Sequence, residues 1–269
     1  VTKSVKLKRD CLAPMIIAED RITVDLNGHT IQGVPPLRSG SIDVVGRRGV
    51  TIKNGRVSSV TAIDDRYGLN VVLGGDHIVR DLEFSNLGVR LKDVDNTLVK
   101  RVAVTTSQNF PNASRSAFNL VGARCKIIHV QAQGGLSSGG VIAGEEIVIA
   151  DSDFKSDSLC GLFVATVGST VRRNTAMTSA TDNRLGGLCA SGYTTVMKGN
   201  EIFGPASGLV LPSTADGFLI RNNYISSDPS LVPDALDIRA AINACTNTWK
   251  NNRFETDSEG DGPNAGCIR

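Results

Sequence analysis

A short motif recurs along the whole chain and constrains its fold more than any other feature. Each copy places an apolar residue, a basic or polar residue, an Asn-like turn and another apolar residue in the same order, as in IKNGRV at residues 52–57. Later copies begin 20 to 29 residues apart, at Val79, Val99, Ile127, Ile149, Arg172, Met197, Ile220 and Trp249. Residues 22–33, ITVDLNGHTIQG, form a slightly longer first copy.

A second short strand is predicted between successive copies, for example GLNVV from residue 68 and GLFVA from residue 161. Each repeat therefore contains at least two strands and two turns. A period in the twenties with short strands and no helical periodicity indicates a β-solenoid. Leucine-rich repeats need a leucine pattern, and propeller blades need about 40 residues per unit. Neither pattern is present, so stacked coils with parallel sheets are predicted.

Composition and charge narrow the functional classes. Only 4% of the residues are aromatic and the formal net charge is +2, so neither nucleic acid nor an anionic membrane surface is a predicted partner. No apolar run approaches the roughly 18 residues that span a bilayer. The chain begins at Val1 rather than Met, which favours a mature, exported protein. A soluble, secreted or periplasmic protein is expected.

Several segments carry a family resemblance. VDLNGHTI at residues 24–31, the preceding LKRDCLAPMIIAEDRIT, and the turns NNYI and NNRF near residues 222 and 251 resemble right-handed parallel β-helix proteins of the pectate-lyase-like superfamily. The resemblance covers about residues 5–255. It implies one all-β domain over residues 1–269, a right-handed parallel β-helix of about nine or ten coils. The predicted caps are about residues 1–20 and 255–269.

This superfamily includes polysaccharide lyases, C5-epimerases of uronic acid polymers, glycoside hydrolases, phage tailspikes and noncatalytic binders. The resemblance implies a carbohydrate-active protein, a polysaccharide lyase or C5-epimerase acting on an acidic polysaccharide. The chain lacks the DPH-type motif of the alginate epimerases, the set of calcium-binding carboxylates and arginines of the pectate lyases, and the combined NTD and DD segments of the polygalacturonase-type hydrolases. Alternatives are a noncatalytic protein that oligomerises or binds through an apolar face, and a small-molecule enzyme on the same scaffold.

The second strand of each repeat predicts a ligand-binding face. If Leu69 and Val71 point inward, alternation points Asn70 outward. Stacking the copies then gives an outward row: Asn70, Arg90, Asn119, Ile142, Phe163, Cys189, Val210 and Asn243. Asn70, Arg90, Asn119, Phe163 and Asn243 are the predicted binding residues for a polysaccharide or another elongated ligand. The alternative is that a loop or a second copy of the chain covers this face.

Uronate chemistry needs a cation for the carboxylate, a base for the C5 proton and a proton donor. The candidate cations are Arg66, Arg115 and Arg239; Tyr67 is the candidate donor and Asp237 a candidate base. Insertions at residues 105–116 and 225–238 lead to Arg115 and Arg239, which favours a site there. His129, aligned between Arg101 and Asp151, is either an acid/base group or a turn residue.

The remaining histidines and Arg172 are interpreted structurally. His29 is read as a turn residue and His77 as an interior or edge group. The repeat places Arg172 in an apolar inward position, so a one-residue slip that puts Val171 there is expected instead.

The six cysteines show no CxxC spacing, so zinc is not predicted. Cys245 and Cys267 are the favoured disulfide pair, and Cys125 is expected in the core. The tail residues Asp257, Glu259 and Asp261 either cap the C-terminal end of the β-helix or bind calcium. No other cofactor is predicted.

Overall fold

The computed structural model describes residues 1–12, 14–33, 40–59, 67–106, 116–182, 184–240 and 246–256, which contain strands and turns but no helix. The strands, in chain order, begin with β1 (Val5–Lys6), β2 (Met15–Ile17), β3 (Thr23–Asp25), β4 (Thr30–Gly33), β5 (Gly40–Arg48), β6 (Thr51–Ser59), β7 (Tyr67–Gly75), β8 (Ile78–Ser85) and β9 (Gly88–Asp95). They continue with β10 (Leu98–Thr105), β11 (Phe118–Ala123), β12 (Lys126–Gly134), β13 (Gly140–Glu145), β14 (Val148–Ala150), β15 (Asp153–Ser156), β16 (Leu162–Val167), β17 (Thr170–Arg172) and β18 (Thr175–Thr178). They end with β19 (Leu188–Tyr193), β20 (Val196–Lys198), β21 (Glu201–Phe203), β22 (Ser207–Leu211), β23 (Ala215–Asp216), β24 (Leu219–Arg221), β25 (Tyr224–Ser226), β26 (Leu236–Ala240) and β27 (Thr248–Lys250).

These strands form two sheets in which neighbours run parallel. The first sheet contains 16 strands, and its main path is β1-β3-β6-β8-β10-β12-β14-β17-β20-β24-β27. The second contains 11 strands, and its main path of ten is β2-β5-β7-β9-β11-β13-β16-β19-β22-β26. The chain alternates between the two sheets, so each turn adds one strand to each path. The predicted all-β parallel solenoid is confirmed.

Apolar residues stack in register through the interior. In the first sheet one inward position is held by residues that are at most 1% exposed: Val24, Ile52, Val79, Val99, Ile127, Ile149, Val171, Met197, Ile220 and Trp249. Val171 occupies this position and Arg172 is exposed, as predicted. Such a continuous apolar column is the dominant favourable term in stacking the coils.

A left-handed residue bends the first sheet in successive coils. These residues have φ between 52° and 63°: Asn54, Asp81, Arg101, His129, Asp151, Arg173, Gly199, Asn222 and Asn251. Asn and Asp tolerate this conformation because their short polar side chains bond locally. At Arg173-Asn174 the arginine takes the turn, and the following Asn174 lies inside with 1% exposure.

The residue after each left-handed turn lies inside the corner, and its chemistry changes along the solenoid. It is apolar at Leu82, Val102 and Val130, which pair or stack across β8, β10 and β12. Further along it is polar, and the members bond to one another in a ladder: Ser152, Asn174, Asn200, Asn223 and Asn252.

The described cysteines include one bonded pair, which the sequence interpretation had left unassigned. A disulfide joins Cys160 to Cys189 in the next coil, with an S–S distance of 2.03 Å. Cys125 is a buried free thiol in the core, as predicted. Cys245, Cys267 and the acidic tail at residues 257–261 lie outside the described residues. None of the described residues forms a helix long and apolar enough to cross a membrane.

Candidate functional site

The outer surface of the second sheet carries a row of side chains in register, here called the Asn70 row. Its members are Asp43, Asn70, Arg90, Asn119, Val141, Phe163, Cys189, Val210 and Arg239. Most of the predicted row is therefore present. Ile142 is a correction, because it points inward with 0% exposure and Val141 takes the outward position. Arg239 occupies the place expected for Asn243, which lies outside the described residues.

Two cations stand at the polar end of this row. Arg90 and Lys92 are two residues apart on β9, so they project from the same side about 7 Å apart along the strand. Lys92 Nζ lies 4.0 Å from Asp93 Oδ2, a loose ion pair at an exposed position. Arg90 has no carboxylate partner within the described part of the chain. No ion pair among the described residues neutralises its positive charge.

Tyr67 lies against Arg90, because the guanidinium carbon is 5.6 Å from the centre of the Tyr67 ring. A register irregularity at Gly68 brings Tyr67 opposite Gly88 on the next strand. A Cβ atom at Gly88 would lie 3.4 Å from Tyr67 Cδ1, so the Tyr67 ring lies beside this glycine. Cation–π contact orients the guanidinium. The half-buried Asn119 is the partner of Arg90 in register on the next strand, so a cation, a phenol and an amide lie on neighbouring strands of this face.

Asn70 on β7 is the partner of Arg90 in register. It is only 7% exposed, and its Nδ2 donates to Asp43 Oδ1 at 2.9 Å. Asp43 Oδ2 in turn accepts a hydrogen bond from the Gly40 amide at 3.1 Å. These bonds fix the amide orientation and leave Asn70 Oδ1 buried without a partner among the described residues. The Asn70 side chain is therefore held by Asp43 and has little exposed surface.

The middle of the face is apolar. Val141 and Phe163 continue the Asn70 row, and Val121, Ala143 and Ala165 stand beside them in a second outward row. All five are half-buried. The Cys160–Cys189 disulfide closes this stripe, because Cys189 is the next member of the row. The predicted pattern of polar ends and an apolar middle is therefore observed.

Arg239 and Asp237 lie at the far end. Arg239 is six strands from Arg90 along the row, which corresponds to about 29 Å at the usual strand spacing. The Asp237 carboxylate is occupied: Oδ1 accepts from Ser227 N and Oγ at 2.6 and 2.7 Å, and Oδ2 accepts from the Glu255 and Thr256 amides at 2.5 and 3.1 Å. These bonds tie the last coil together. The structure does not bring Asp237 or Arg239 to Tyr67.

His129 lies on another face. It holds the left-handed corner of the first sheet between Arg101 and Asp151, as predicted from the repeat. Its Nδ1 lies 3.3 Å from the Asp151 carbonyl oxygen, so Nδ1 carries the proton in this contact. His129 and Tyr67 therefore belong to different surfaces. Arg66 and Arg115 lie outside the described residues.

The face beside His129 contains a groove that the sequence interpretation missed, here called the Gln131 groove. One part has a volume of about 590 Å³, between Arg56, Glu83, Arg101, His129 and Gln131. A second part of about 230 Å³ adjoins it and reaches Asp153 and Lys155. Ala103 and Gln131 line both parts. In the sequence, these lining residues occupy the outward position two residues after each left-handed corner, as Gln131 does after His129.

Ion pairs set the electrostatics of the corner. The Arg101 guanidinium, which bonds to both oxygens of Asp81, lowers the pKa of that carboxyl, and Arg80 adds to the effect. Arg173 lowers the pKa of Asp151 in the same way. Both carboxylates are therefore held in ion pairs of the corner.

Burial lowers the pKa of His77, which is 2% exposed. The Nδ1 atom of this ring accepts a hydrogen bond from the Val50 amide.

No group of three or more His, Cys, Asp or Glu side chains that would hold a metal ion is present within the described ranges. The available chemistry at the Asn70 row is thus a cation, a phenol and amides. This set suits recognition of a carboxylate and hydroxyl groups.

Comparisons with known proteins agree on the fold. No protein-family model matches the sequence, and no curated protein matches it. The A-module of mannuronan C-5 epimerase AlgE4 from Azotobacter vinelandii superposes with a TM-score of 0.56 at 12% identity, over 99% of this chain and 87% of that one. PfbA, a surface adhesin of Streptococcus pneumoniae, superposes with a TM-score of 0.58 at 11% identity, over 92% of this chain and 71% of that one.

The Dettilon tailspike protein gives a TM-score of 0.62 at 11% identity and covers 90% of this chain. This chain spans only 54% of that tailspike. At such identities the similarity concerns architecture alone. The fold of this chain is the right-handed parallel β-helix.

Proposed function

We propose that this protein binds an acidic polysaccharide along the Asn70 row, with Arg90 as the ligand of a uronate carboxylate. The observation that carries the proposal is the state of Arg90. Its guanidinium has no carboxylate partner in the described chain and is oriented by the Tyr67 ring at 5.6 Å. A guanidinium binds a carboxylate with two parallel hydrogen bonds, and Lys92 on the same strand adds a second positive charge.

The rest of the face fits an elongated ligand. Successive strands of a parallel sheet are about 4.8 Å apart, so the row offers a side chain at regular intervals along the solenoid axis. Asn119, next to Arg90, has an amide for sugar hydroxyls. The apolar stripe at Val141 and Phe163 suits the nonpolar faces of sugar rings. Two architectural neighbours are named as a mannuronan epimerase and a surface adhesin, which supports a carbohydrate-related role outside the cell.

An exported location is part of the same proposal. The Cys160–Cys189 disulfide is the supporting observation, since such bonds persist in oxidising compartments and are rare in reducing cytosol. A ligand on the outer face of a secreted or periplasmic protein meets extracellular polymers directly.

A lyase or C5-epimerase is the second candidate, and Tyr67 beside Arg90 favours it. With the carboxylate neutralised by Arg90, a base removes the C5 proton. In β-elimination the C4–O bond then breaks, a C4–C5 double bond forms, and the Tyr67 hydroxyl gives its proton to the leaving oxygen. In epimerisation the C4–O bond stays intact, and a donor on the opposite side of the ring delivers a new proton to C5. Binding ranks first because the nearby Asp43 is engaged with Asn70 and Gly40.

The test measures binding and turnover together. Pectate, alginate and glycosaminoglycans are titrated by calorimetry, with and without calcium, against the wild type, Arg90→Ala and the exposed control Arg184→Ala. We expect binding to at least one acidic polymer, weakened about tenfold or more by Arg90→Ala. Absence of binding to every acidic polymer, or equal affinity of the wild type and Arg90→Ala, contradicts the proposal.

Catalysis is read separately on the polymer that binds. Ultraviolet absorbance detects unsaturated lyase products, and deuterium uptake at C5 detects epimerisation. Loss of either signal in Tyr67→Phe with binding retained would assign the second candidate. Binding without either signal assigns the noncatalytic function.

A further inference from the structure

We infer that the Gln131 groove is a second carbohydrate site, which binds an uncharged oligosaccharide. It lies on the outer side of the first sheet, whereas the Asn70 row belongs to the second sheet. The inference therefore stands on different residues from the proposed function and does not depend on it.

The groove is shaped by one small side chain between larger ones. In register across the sheet, Glu83 pairs with Ala103, and Ala103 pairs with Gln131. Ala103 leaves a notch between these two long side chains, about two strand spacings or 10 Å wide. The adjoining volumes of about 590 and 230 Å³ extend this notch along the strands on both sides. A depression of this size holds several sugar rings.

Its charges are balanced, which sets the ligand class. The lining contains three cations, Arg56, Arg101 and Lys155, and three carboxylates, Asp81, Glu83 and Asp153. Two of the pairs are closed: Arg56 Nε to Glu83 Oε2 at 3.1 Å and Arg101 Nε to Asp81 Oδ1 at 2.5 Å. With no excess charge and no unpaired guanidinium, the groove has no preference for an anion. This is the opposite of the Arg90 cluster.

The groove lining nevertheless has hydrogen-bonding groups that nothing in the described chain uses, two of them on the exposed residues Gln131 and Gln133. The side-chain amides of Gln131 and Gln133 and the carboxylate of Asp153 make no hydrogen bond to other described residues, and Asp153 is half-buried. His129 Nδ1 contacts the Asp151 carbonyl oxygen, so Nε2 is the ring nitrogen that faces no described partner. Gln131 pairs with Asp153 on the next strand, so donors and acceptors recur at strand spacing. Such an array matches the alternating donors and acceptors of sugar hydroxyls.

The test uses neutral hexasaccharides of β-1,4-glucan, β-1,4-mannan and α-1,4-glucan as probes, with heteronuclear NMR of the intact chain. We expect at least one probe to shift the amide signals of Ala103, Gln131 and Gln133 with millimolar or tighter affinity. Ala103→Trp, which fills the notch, and Gln131→Ala should each weaken binding about tenfold. Glu201→Gln, on the same outward row but outside the groove, is the matched control.

Arg90→Ala should leave the binding of neutral oligosaccharides to the Gln131 groove unchanged. The inference about this groove and the proposed binding of acidic polymers to the Asn70 row can therefore fail independently. Folding of the Ala103 variant is checked by the unchanged amide spectrum of the second sheet, and Gln131→Ala supplies the same test without added bulk. Three results overturn the inference: no neutral probe shifts these amides, both variants bind like the wild type, or acidic oligosaccharides alone occupy the groove.

Discussion

The corner of the first sheet is built in two different ways along the same solenoid. In the first half, the corner residues Leu82, Val102 and Val130 are apolar, and β8, β10 and β12 run unbroken for eight or nine residues with backbone pairing across the corner. In the second half, the equivalent residues are polar and each strand is split in two, as in β20 and β21 around Asn200.

The split has a direct cause. The backbone amides of Asn174 and Asn200 donate to the side-chain oxygens of Asn200 and Asn223, at 3.0 and 2.9 Å, instead of to a neighbouring carbonyl. Each side chain also donates to a carbonyl, as Asn200 Nδ2 does to Val171 at 3.0 Å. The interior position after each corner can therefore hold either a buried apolar side chain or a polar side chain whose hydrogen bonds are all made within the ladder. Interior repeats specify the scaffold, and outward residues specify function.

The largest expected effect is at the apolar half. Leu82→Ala should lower the free energy of unfolding by about 3 kcal/mol, because a side chain with 3% exposure is replaced by a cavity. Chemical denaturation measures this loss. Leu231→Ala, at a position with 64% exposure, is the control and should change stability by less than about 0.5 kcal/mol. Equal effects at the two sites would refute the assignment of Leu82 to the core.

Breaking the ladder should cost slightly less. Asn200→Ala should destabilise the protein by about 2 kcal/mol, because the buried Asn174 amide loses its acceptor. Denaturation and amide hydrogen exchange measure it, and exchange should accelerate at Asn174. Asn222→Gly, which removes an exposed amide but keeps the left-handed backbone, should be nearly neutral. A neutral Asn200→Ala would mean that the ladder contributes nothing.

A smaller effect concerns His77, a polar residue inside the apolar half. Burial lowers its pKa below 6.5, so the folded protein keeps the ring neutral. Above pH 6.5 both states are neutral and His77 adds no pH dependence; below it the unfolded chain gains a proton first, so stability falls as pH decreases. His77→Gln should flatten the unfolding free energy between pH 6.5 and the folded pKa. An unchanged slope would contradict this, and exposed His129→Gln is the control.

The smallest effect is at the exposed corner pairs. Bonding to Arg101 lowers the pKa of Asp81 below 3.8, so its contribution is present above pH 3.8 and is lost as pH falls through the folded pKa. Asp81→Asn should reduce the acid sensitivity of unfolding in that range. High salt should weaken the difference between the variant and the wild type, because these groups face solvent. A salt-independent difference would contradict an exposed ion pair.

Much of the scaffold was predictable because side-chain alternation fixes inside and outside once a strand's phase is known. Val171 in place of Arg172 followed from the cost of burying a charge. The assignment of inward and outward residues was wrong after Gly139-Gly140, because the repeat was aligned on Gly140 instead of Gly139 and Ile142 was therefore predicted to face out. A Cβ at Gly140 would lie 2.6 Å from Phe154 Cδ1, so this glycine occupies the inward position under that ring and Val141, not Ile142, faces out.

The candidate sites were less predictable, for physical reasons. The Arg90–Tyr67 contact depends on the irregularity at Gly68, which no periodicity indicates. The Gln131 groove depends on which outward residues are small, and Asp237 proved to be held by four hydrogen bonds from residues distant in sequence. The Cys160–Cys189 pair spans 29 residues and required the coil register.

The most direct test of the proposed function compares polygalacturonate or alginate with its carboxyl-reduced, neutral form at low salt, in the wild type and in Arg90→Ala. The wild type should prefer the acidic form about tenfold or more, and Arg90→Ala should lose that preference, because Arg90 has no carboxylate partner among the described residues and is the proposed carboxylate ligand. An equal preference in both proteins, or none in the wild type, would contradict uronate recognition by the Asn70 row.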